Sequence, residues 1–132
     1  MARKKLKATL LVAAAGCGLS VLGVVLPWSW LAAWMRMFGA HYVPADPMIV
    51  YAVRASSAAF VFIGIFFALV ARDPQRFAPF LDLAIVGLLA VGTVCLVVGV
   101  ATGMAPWYLL DVAFCWVLAV LMAAWRKPAG AF

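Results

Sequence analysis

The sequence predicts an all-α membrane protein, a bundle of four antiparallel transmembrane helices with a short interfacial helix after the first span. Of the 132 residues, 70% are hydrophobic and 11% are charged, whereas a soluble domain carries about 25% charged residues. Four apolar runs each have about the 20 residues that are needed to cross a bilayer core. Basic residues flank these runs, which is typical of membrane topology signals. We predict that residues 1–132 form a single domain.

The first apolar run covers residues 8–26 and follows a basic start at residues 3–7. The hydrophobic region of a signal peptide is about 7–15 residues long. This run continues for nine residues beyond Cys17 and ends at Pro27. We therefore expect an uncleaved transmembrane helix rather than a signal peptide.

The segment after Pro27 is aromatic and apolar over residues 28–38, but it is too short to cross a bilayer. Because Trp and Tyr concentrate at membrane–water interfaces, we predict a short helix lying in the outer interface. Gly39 is placed to end this helix as a C-terminal cap. A polar, proline-containing turn follows before the second span.

The other three spans are predicted at residues 48–71, 80–102 and 106–125. The connections between them are short, so we expect consecutive spans to pack as antiparallel neighbours. Small residues at helical spacing, such as Gly64 with Ala68, allow close approach of helix backbones. We interpret these pairs as packing within the chain, with a contact between copies as the alternative.

The distribution of Lys and Arg predicts the orientation. With the N-terminus inside, the cytoplasmic segments carry eight basic residues, whereas the outer loops carry only Arg36. The positive-inside rule then places both termini in the cytoplasm, and the architecture favours a bacterial inner membrane. A nucleic-acid-binding protein would need a basic face on a folded domain. Membrane lipids and other membrane protein subunits are therefore the expected partners, and nucleic acid is not.

Two ionisable residues fall within the predicted spans, where a charge is costly unless it is paired. Arg54 and Asp111 lie at nearly the same depth, at the outer ends of the second and fourth spans. We predict that they face each other, directly or through a water molecule. In one alternative, Arg54 extends to the lipid headgroups. In the other, Asp111 lies at a hydrated helix start, where the helix dipole favours a negative charge. Further candidates for this pocket are Tyr51, Ser57, Trp107 and Tyr108 from the helices, and His41, Tyr42 and Asp46 from the outer loop.

The remaining polar residues have simpler interpretations. Asp82 lies near the inner start of the third span, across a turn from Arg72 and Arg76, and is predicted to be a helix-terminus carboxylate with basic neighbours. The three cysteines lie inside apolar runs and are expected to behave as small hydrophobic residues. A disulfide between Cys95 and Cys115 is the alternative.

The sequence predicts no catalytic residues and no metal site. It shows no cluster of His, Cys and carboxylates that suits a metal, and no nucleophile with a base in reach. We therefore expect a protein that is not an independent enzyme. We also expect no cofactor, with a bound lipid or quinone as the exception.

Several features of the chain together resemble a known family. They are a first span that ends at Pro27, a segment closing on residues 37–39, the run Tyr51-Ala-Val-Arg54, an Arg-Asp-Pro turn at residues 72–74, and Asp111 in the fourth span. This plan is similar to that of the small four-helix bacterial membrane proteins related to the DoxX family. In one departure, the third span has no arginine, which many relatives carry there.

DoxX is a small membrane subunit of a quinone-linked oxidoreductase. The resemblance therefore implies an accessory or anchoring subunit of a larger membrane complex, redox- or quinone-linked, that contributes helix packing and lipid contacts. One alternative is a small transporter or a channel-like oligomer. Another is a protein that binds or acts on lipid or quinone at the outer pocket around Arg54 and Asp111.

Overall fold

The computed structural model describes residues 1–129, with side chains described as far as Arg126. The described residues form helices joined by short connections, without a β-strand. Four helical stretches are long and apolar enough to cross a membrane, so the predicted fold class is confirmed. The helices are α1 (Ala2–Gly18), α2 (Val21–Val25), α3 (Trp28–Met37), α4 (Pro47–Arg72), α5 (Ala78–Ala101) and α6 (Tyr108–Ala129).

The first span consists of α1 and α2, which are joined by a local tightening of the helix. The N–H of Ser20 donates to the carbonyl of Cys17 at 3.1 Å, three residues back, instead of the four residues of an α-helix. Leu19 and Ser20 nevertheless keep right-handed helical dihedral angles. The span starts at Ala2, earlier than predicted, because the basic start is itself helical.

The short helix α3 confirms the helix that was predicted after the first span. It ends at Gly39, which has φ of 97°, and the N–H of Ala40 donates to the carbonyl of Met35 at 2.9 Å. This is the hydrogen-bond pattern of a glycine-capped helix end. Leu31 is buried and Trp30 is exposed, so α3 packs one side on the bundle and presents aromatic rings on the other.

The spans pack in the order α4, α1, α6, α5. The main core lies where α1, α4, α5 and α6 meet and includes Leu10, Phe67, Leu81 and Met122. Packing of α5 on α6 confirms one predicted antiparallel pair. The prediction that α4 packs directly on α5 is wrong, because α4 uses its small residues against α1. A Cβ added to Gly64 would lie 2.9 Å from the carbonyl oxygen of Ala14.

The two ends of the bundle differ in chemistry. The basic end carries residues 3–7 and the turn at residues 72–76, together with Arg126. There, Lys5 lies 4.5 Å from the ring centre of Trp125. The aromatic end carries α3 and the connections at residues 38–46 and 102–107. These two connections meet where the rings of Phe38 and Trp107 contact each other at 5.8 Å.

Asp82 at the basic end has a different partner from those predicted. Its carboxylate forms an ion pair with Arg126 of α6, and no ion pair with Arg72 or Arg76 occurs among the residues that the structure describes. The reason is that α5 packs on α6, which brings the start of one helix beside the end of the other. The basic neighbourhood was predicted, but the residue that supplies it was not.

Candidate functional site

A cavity of about 820 Å³ lies between α4 and α5 in the described bundle. α4 packs on α1 and α5 packs on α6, so a gap is left between α4 and α5. Residues of α1 and α6 also line the cavity. Its walls are mostly aliphatic and aromatic side chains. Ligand-binding cavities in proteins typically measure about 300–1,000 Å³ and are mostly apolar, so this cavity has the size and lining of a binding site.

The cavity is long and opens sideways. Its lining on α5 runs from Leu83 to Cys95, which corresponds to about 18 Å at a rise of about 1.5 Å per residue. The lining residues beside the opening are exposed, with Ile63 of α4 at 41% and Leu83 of α5 at 67%. In a membrane, an opening between two apolar spans faces the lipid chains.

Phenylalanine rings occupy the end of the cavity nearest the basic end. Phe66 of α4 contacts Phe67 at 5.9 Å and Phe80 of α5 at 6.0 Å between ring centres. Phe77 contacts Phe80 at 6.2 Å. These rings bridge α4 and α5 close to their connecting turn, at the end of the cavity nearest the basic end.

Few polar groups line the cavity, and they come from different helices. Asp111 of α6 is the charged residue among its described lining residues, and Ser20 lies on the first span. Cys17, Cys95 and Cys115 also line it, from α1, α5 and α6, and all three are free thiols. The alternative of a disulfide between Cys95 and Cys115 is therefore wrong.

Arg54 of α4 binds the end of the first span. Its guanidinium donates to the carbonyl oxygen of Gly23 at 3.1 Å, to that of Val24, and to that of Leu26 at 2.7 Å. The last carbonyl groups of a helix lack partners within the helix. Arg54 supplies them with three charge-assisted hydrogen bonds, which are stronger than neutral ones.

The predicted direct pairing of Arg54 with Asp111 does not occur among the described residues, and contact through a water molecule stays a prediction. The two residues lie toward the same end of the bundle, but α4 packs on α1 and α2, and α6 packs on α1 and α5. Among the described residues, Asp82 is the aspartate within the spans that forms an ion pair, and its partner is Arg126. The Asp111 carboxylate lies in the cavity wall instead.

The helical residues predicted to join that pocket are dispersed. Ser57 shares the face of Arg54, as predicted, and contacts Gly23 of α2. Tyr51 is 73% exposed. Tyr108 packs its ring on Gly99 of α5, and Trp107 contacts the connection at the end of α3. None of these side chains lines the cavity.

The outer-loop candidates also have other roles or none within the described bundle. The Asp46 carboxylate accepts a hydrogen bond from the N–H of Met48 at 2.8 Å and caps the start of α4. His41 is exposed, and Tyr42 is 82% exposed. Of the predicted site residues, Asp111 alone lines the cavity.

Sequence reasoning missed most of the cavity wall. The three cysteines lie at unrelated positions in the sequence, and the wall also contains Phe60, Phe66 and other residues that look like ordinary membrane-span residues. The available signal was Gly87, a glycine within an apolar helix. A Cβ added there would meet no atom within 4 Å, so this glycine adjoins open space rather than a neighbouring helix.

The described residues contain no group of three or more His, Cys, Asp or Glu side chains that could hold a metal ion. The chemical character of the cavity comes from its apolar wall and from one carboxylate, that of Asp111. The resemblance to the DoxX family stays a prediction. Comparisons with protein-family models, curated proteins and solved structures found no match to this chain.

Proposed function

We propose that this chain is a small membrane-embedded binding protein, and that the cavity between α4 and α5 holds the apolar chain of a lipid or isoprenoid. The observation that supports this proposal is the cavity of about 820 Å³ with its apolar wall and sideways opening. Cavities lined by apolar side chains bind apolar molecules and exclude water. In a bilayer, the molecules that reach such an opening are lipids and other amphiphiles.

The shape of the cavity favours an extended chain over a compact ligand. The lining on α5 spans about 18 Å along the helix axis, while the phenylalanine rings obstruct the end nearest the basic end. A chain entering between α4 and α5 would lie along α5, with its polar head toward the aromatic end. A lipid or quinone is the bound molecule that the sequence allows, and such a molecule fits this arrangement. In the structure, Asp111 lines its site without Arg54.

The transporter or channel alternative receives less support from the geometry. It requires a polar path that continues across the bundle, lined by Arg54 and Asp111. The donors of Arg54 are directed at the first span, and the cavity meets phenylalanine rings toward the basic end. A path for ions would need polar groups where these rings lie.

The accessory-subunit role is a second candidate function, supported by the surface of α5. This helix packs on α6 within the bundle and leaves Val86, Val97 and Val100 exposed at 60–64%. A smooth, β-branched face of this kind suits a helix of a partner subunit as well as lipid chains. The two candidate functions are compatible, because the cavity and these valines lie on different faces of α5.

We also propose that the basic end faces the cytoplasm of a bacterial cell. Residues 3–7, Arg72, Arg76 and Arg126 all belong to this end, whereas the aromatic end carries Arg36 in α3. Basic residues near short spans are retained on the cytoplasmic side. Thiol labelling of single cysteines placed at each end, in sealed inverted vesicles, would test this orientation.

Native mass spectrometry of the protein purified in mild detergent tests the proposed binding function. We expect the chain to carry a lipid or isoprenoid of defined mass at a fixed stoichiometry. Gly87→Phe, which fills the cavity, should lose this mass, whereas Val86→Phe, on the exposed face of α5, should retain it. Equal retention by both variants would contradict the cavity as the binding site. Additional protein chains at fixed stoichiometry, with an empty cavity, would favour the accessory role instead.

A further inference from the structure

We propose that the ligand of this cavity is a long-chain amphiphile with a positively charged amine, and that Asp111 binds this amine. The inference rests on the proposed function, because it specifies the head of the molecule whose chain the cavity holds. It follows from charge complementarity and from the phenyl rings that line the same cavity as the carboxylate.

The charge of the cavity wall is negative. Asp111 is its charged residue, and Arg54, the basic residue predicted to pair with it, donates to the first span instead. The Asp111 side chain is exposed in the bundle, so in a membrane it faces whatever fills the cavity, and a carboxylate that apolar chains surround is costly unless it is paired. A ligand that brings a cation removes this cost, whereas a phosphate or sulfate head at the same position would be repelled.

The neighbouring rings favour the same kind of ligand. Phe114 lies three residues after Asp111 on α6, which places both on one face of the helix. Its ring and that of Phe60 on α4 both line the cavity. The faces of aromatic rings attract ammonium groups, with a larger gain when the cation is desolvated. A carboxylate beside phenyl rings therefore selects an amine over a neutral hydroxyl head of similar size.

The position of Asp111 suits the head of an amphiphile. It is the fourth residue of α6, so it lies about 5 Å along the axis from the start of that helix, near the aromatic end. The cavity continues from there along α5 toward Leu83. An amphiphile would thus place its head near the membrane interface and its chain in the hydrocarbon region, as lipids do.

Three amphiphiles with the same alkyl chain separate the role of the head from that of the chain. Hexadecylamine, hexadecanol and hexadecyl sulfate would be titrated into the protein in lipid nanodiscs at neutral pH, and binding followed by native mass spectrometry. We expect the amine to bind at least about tenfold more tightly than the alcohol, and the sulfate more weakly than either. Asp111→Asn should remove the preference for the amine over the alcohol.

The outcomes distinguish this inference from the proposed function. Equal affinities for amine and alcohol, with no effect of Asp111→Asn on either, would overturn the inference and leave chain binding intact. Failure of all three amphiphiles to bind would overturn the proposed function. The helix content of Asp111→Asn, measured by circular dichroism, serves as the folding control for that variant. If the variant does not fold, the order of affinities for the unaltered protein decides the matter.

Discussion

The guanidinium of Arg54 donates a hydrogen bond to the carbonyl oxygen of Leu26 at 2.7 Å, across 28 residues of sequence. With its further bonds to Gly23 and Val24, it ties the second span to the end of the first. This relationship also explains why Asp111 is left facing the cavity. The arginine that could have neutralised it is used to cap a helix end.

Replacing Arg54 should weaken the bundle. Arg54→Met removes the donors to the carbonyl groups of α2, and we expect the free energy of unfolding to fall by about 1–3 kcal/mol. Arg54→Lys should recover part of this loss, because an ammonium group lacks the planar fork of donors. The measurement is reversible unfolding in mixed micelles, with Arg36→Met as the control. If Arg36→Met lowers the free energy of unfolding as much as Arg54→Met does, the loss comes from removing any cation at the aromatic end and not from the hydrogen bonds of Arg54.

A double-mutant cycle between Arg54 and Asp111 should show little coupling. The structure does not pair these residues, so the effects of Arg54→Met and Asp111→Asn on the free energy of unfolding should add to within about 0.5 kcal/mol. A coupling energy well above that value would indicate that the two charges interact. It would contradict the assignment of Arg54 to the carbonyl groups of the first span.

Two glycines should respond oppositely to a methyl group. A Cβ on Gly64 would lie 2.9 Å from the carbonyl oxygen of Ala14, so Gly64→Ala should force α1 and α4 apart and cost about 1–3 kcal/mol. A Cβ on Gly87 meets no atom within 4 Å, so Gly87→Ala should change stability by at most about 0.5 kcal/mol. The free energy of unfolding would be measured in mixed micelles. Equal decreases for both variants would mean that α5 packs tightly around Gly87 and that no cavity lies beside it.

The ion pair between Asp82 and Arg126 should contribute little to stability. Both side chains are nearly half exposed, at 48% and 41%, and exposed ion pairs are typically worth about 0–1 kcal/mol. We expect the coupling energy between Asp82→Asn and Arg126→Gln to fall in this range and to shrink with added salt. A larger value that does not depend on salt would show that lipid headgroups desolvate this pair.

The three thiols provide a label-based test of the cavity. Cys17 and Cys115 are buried, whereas Cys95 is partly exposed, so Cys95 should react first with a membrane-permeant maleimide. Hexadecanol should slow this reaction by occupying the cavity. A cysteine introduced by Val100→Cys, in a chain without other cysteines, lies on the exposed face of α5 and should be unaffected. Equal protection of both positions would argue for a general effect of the alcohol on the bilayer.

Much of the fold follows from local sequence signals. The four spans, the short helix α3 and its glycine cap are each marked by apolar length, aromatic content or Gly39, and the structure confirms them. The common face of Arg54 and Ser57 also follows from helical spacing. These features depend on a few neighbouring residues, which the sequence displays directly.

The packing order of the spans could not be predicted in the same way. Beyond Asp82 near its start, α5 carries apolar residues on all sides, so no face of it is marked for the interior. Its separation from α4 therefore leaves no trace in the sequence. Short connections suggested adjacent packing, but a turn at residues 73–77 brings only the helix ends together. The convergence of Cys17, Cys95 and Cys115 on one cavity depends on this order, as does the placing of Asp111.

The central claim is that an alkyl chain occupies the space between α4 and α5, and photocrosslinking tests it most directly. A diazirine-bearing fatty alcohol would be incorporated into nanodiscs with the protein, activated by light, and its attachment sites mapped by peptide mass spectrometry. We predict labelling concentrated on cavity residues such as Ile63, Gly87 and Val91, and lost in Gly87→Phe. Labelling spread evenly over exposed residues such as Val86 and Val100, and unchanged by Gly87→Phe, would contradict this placement of the chain.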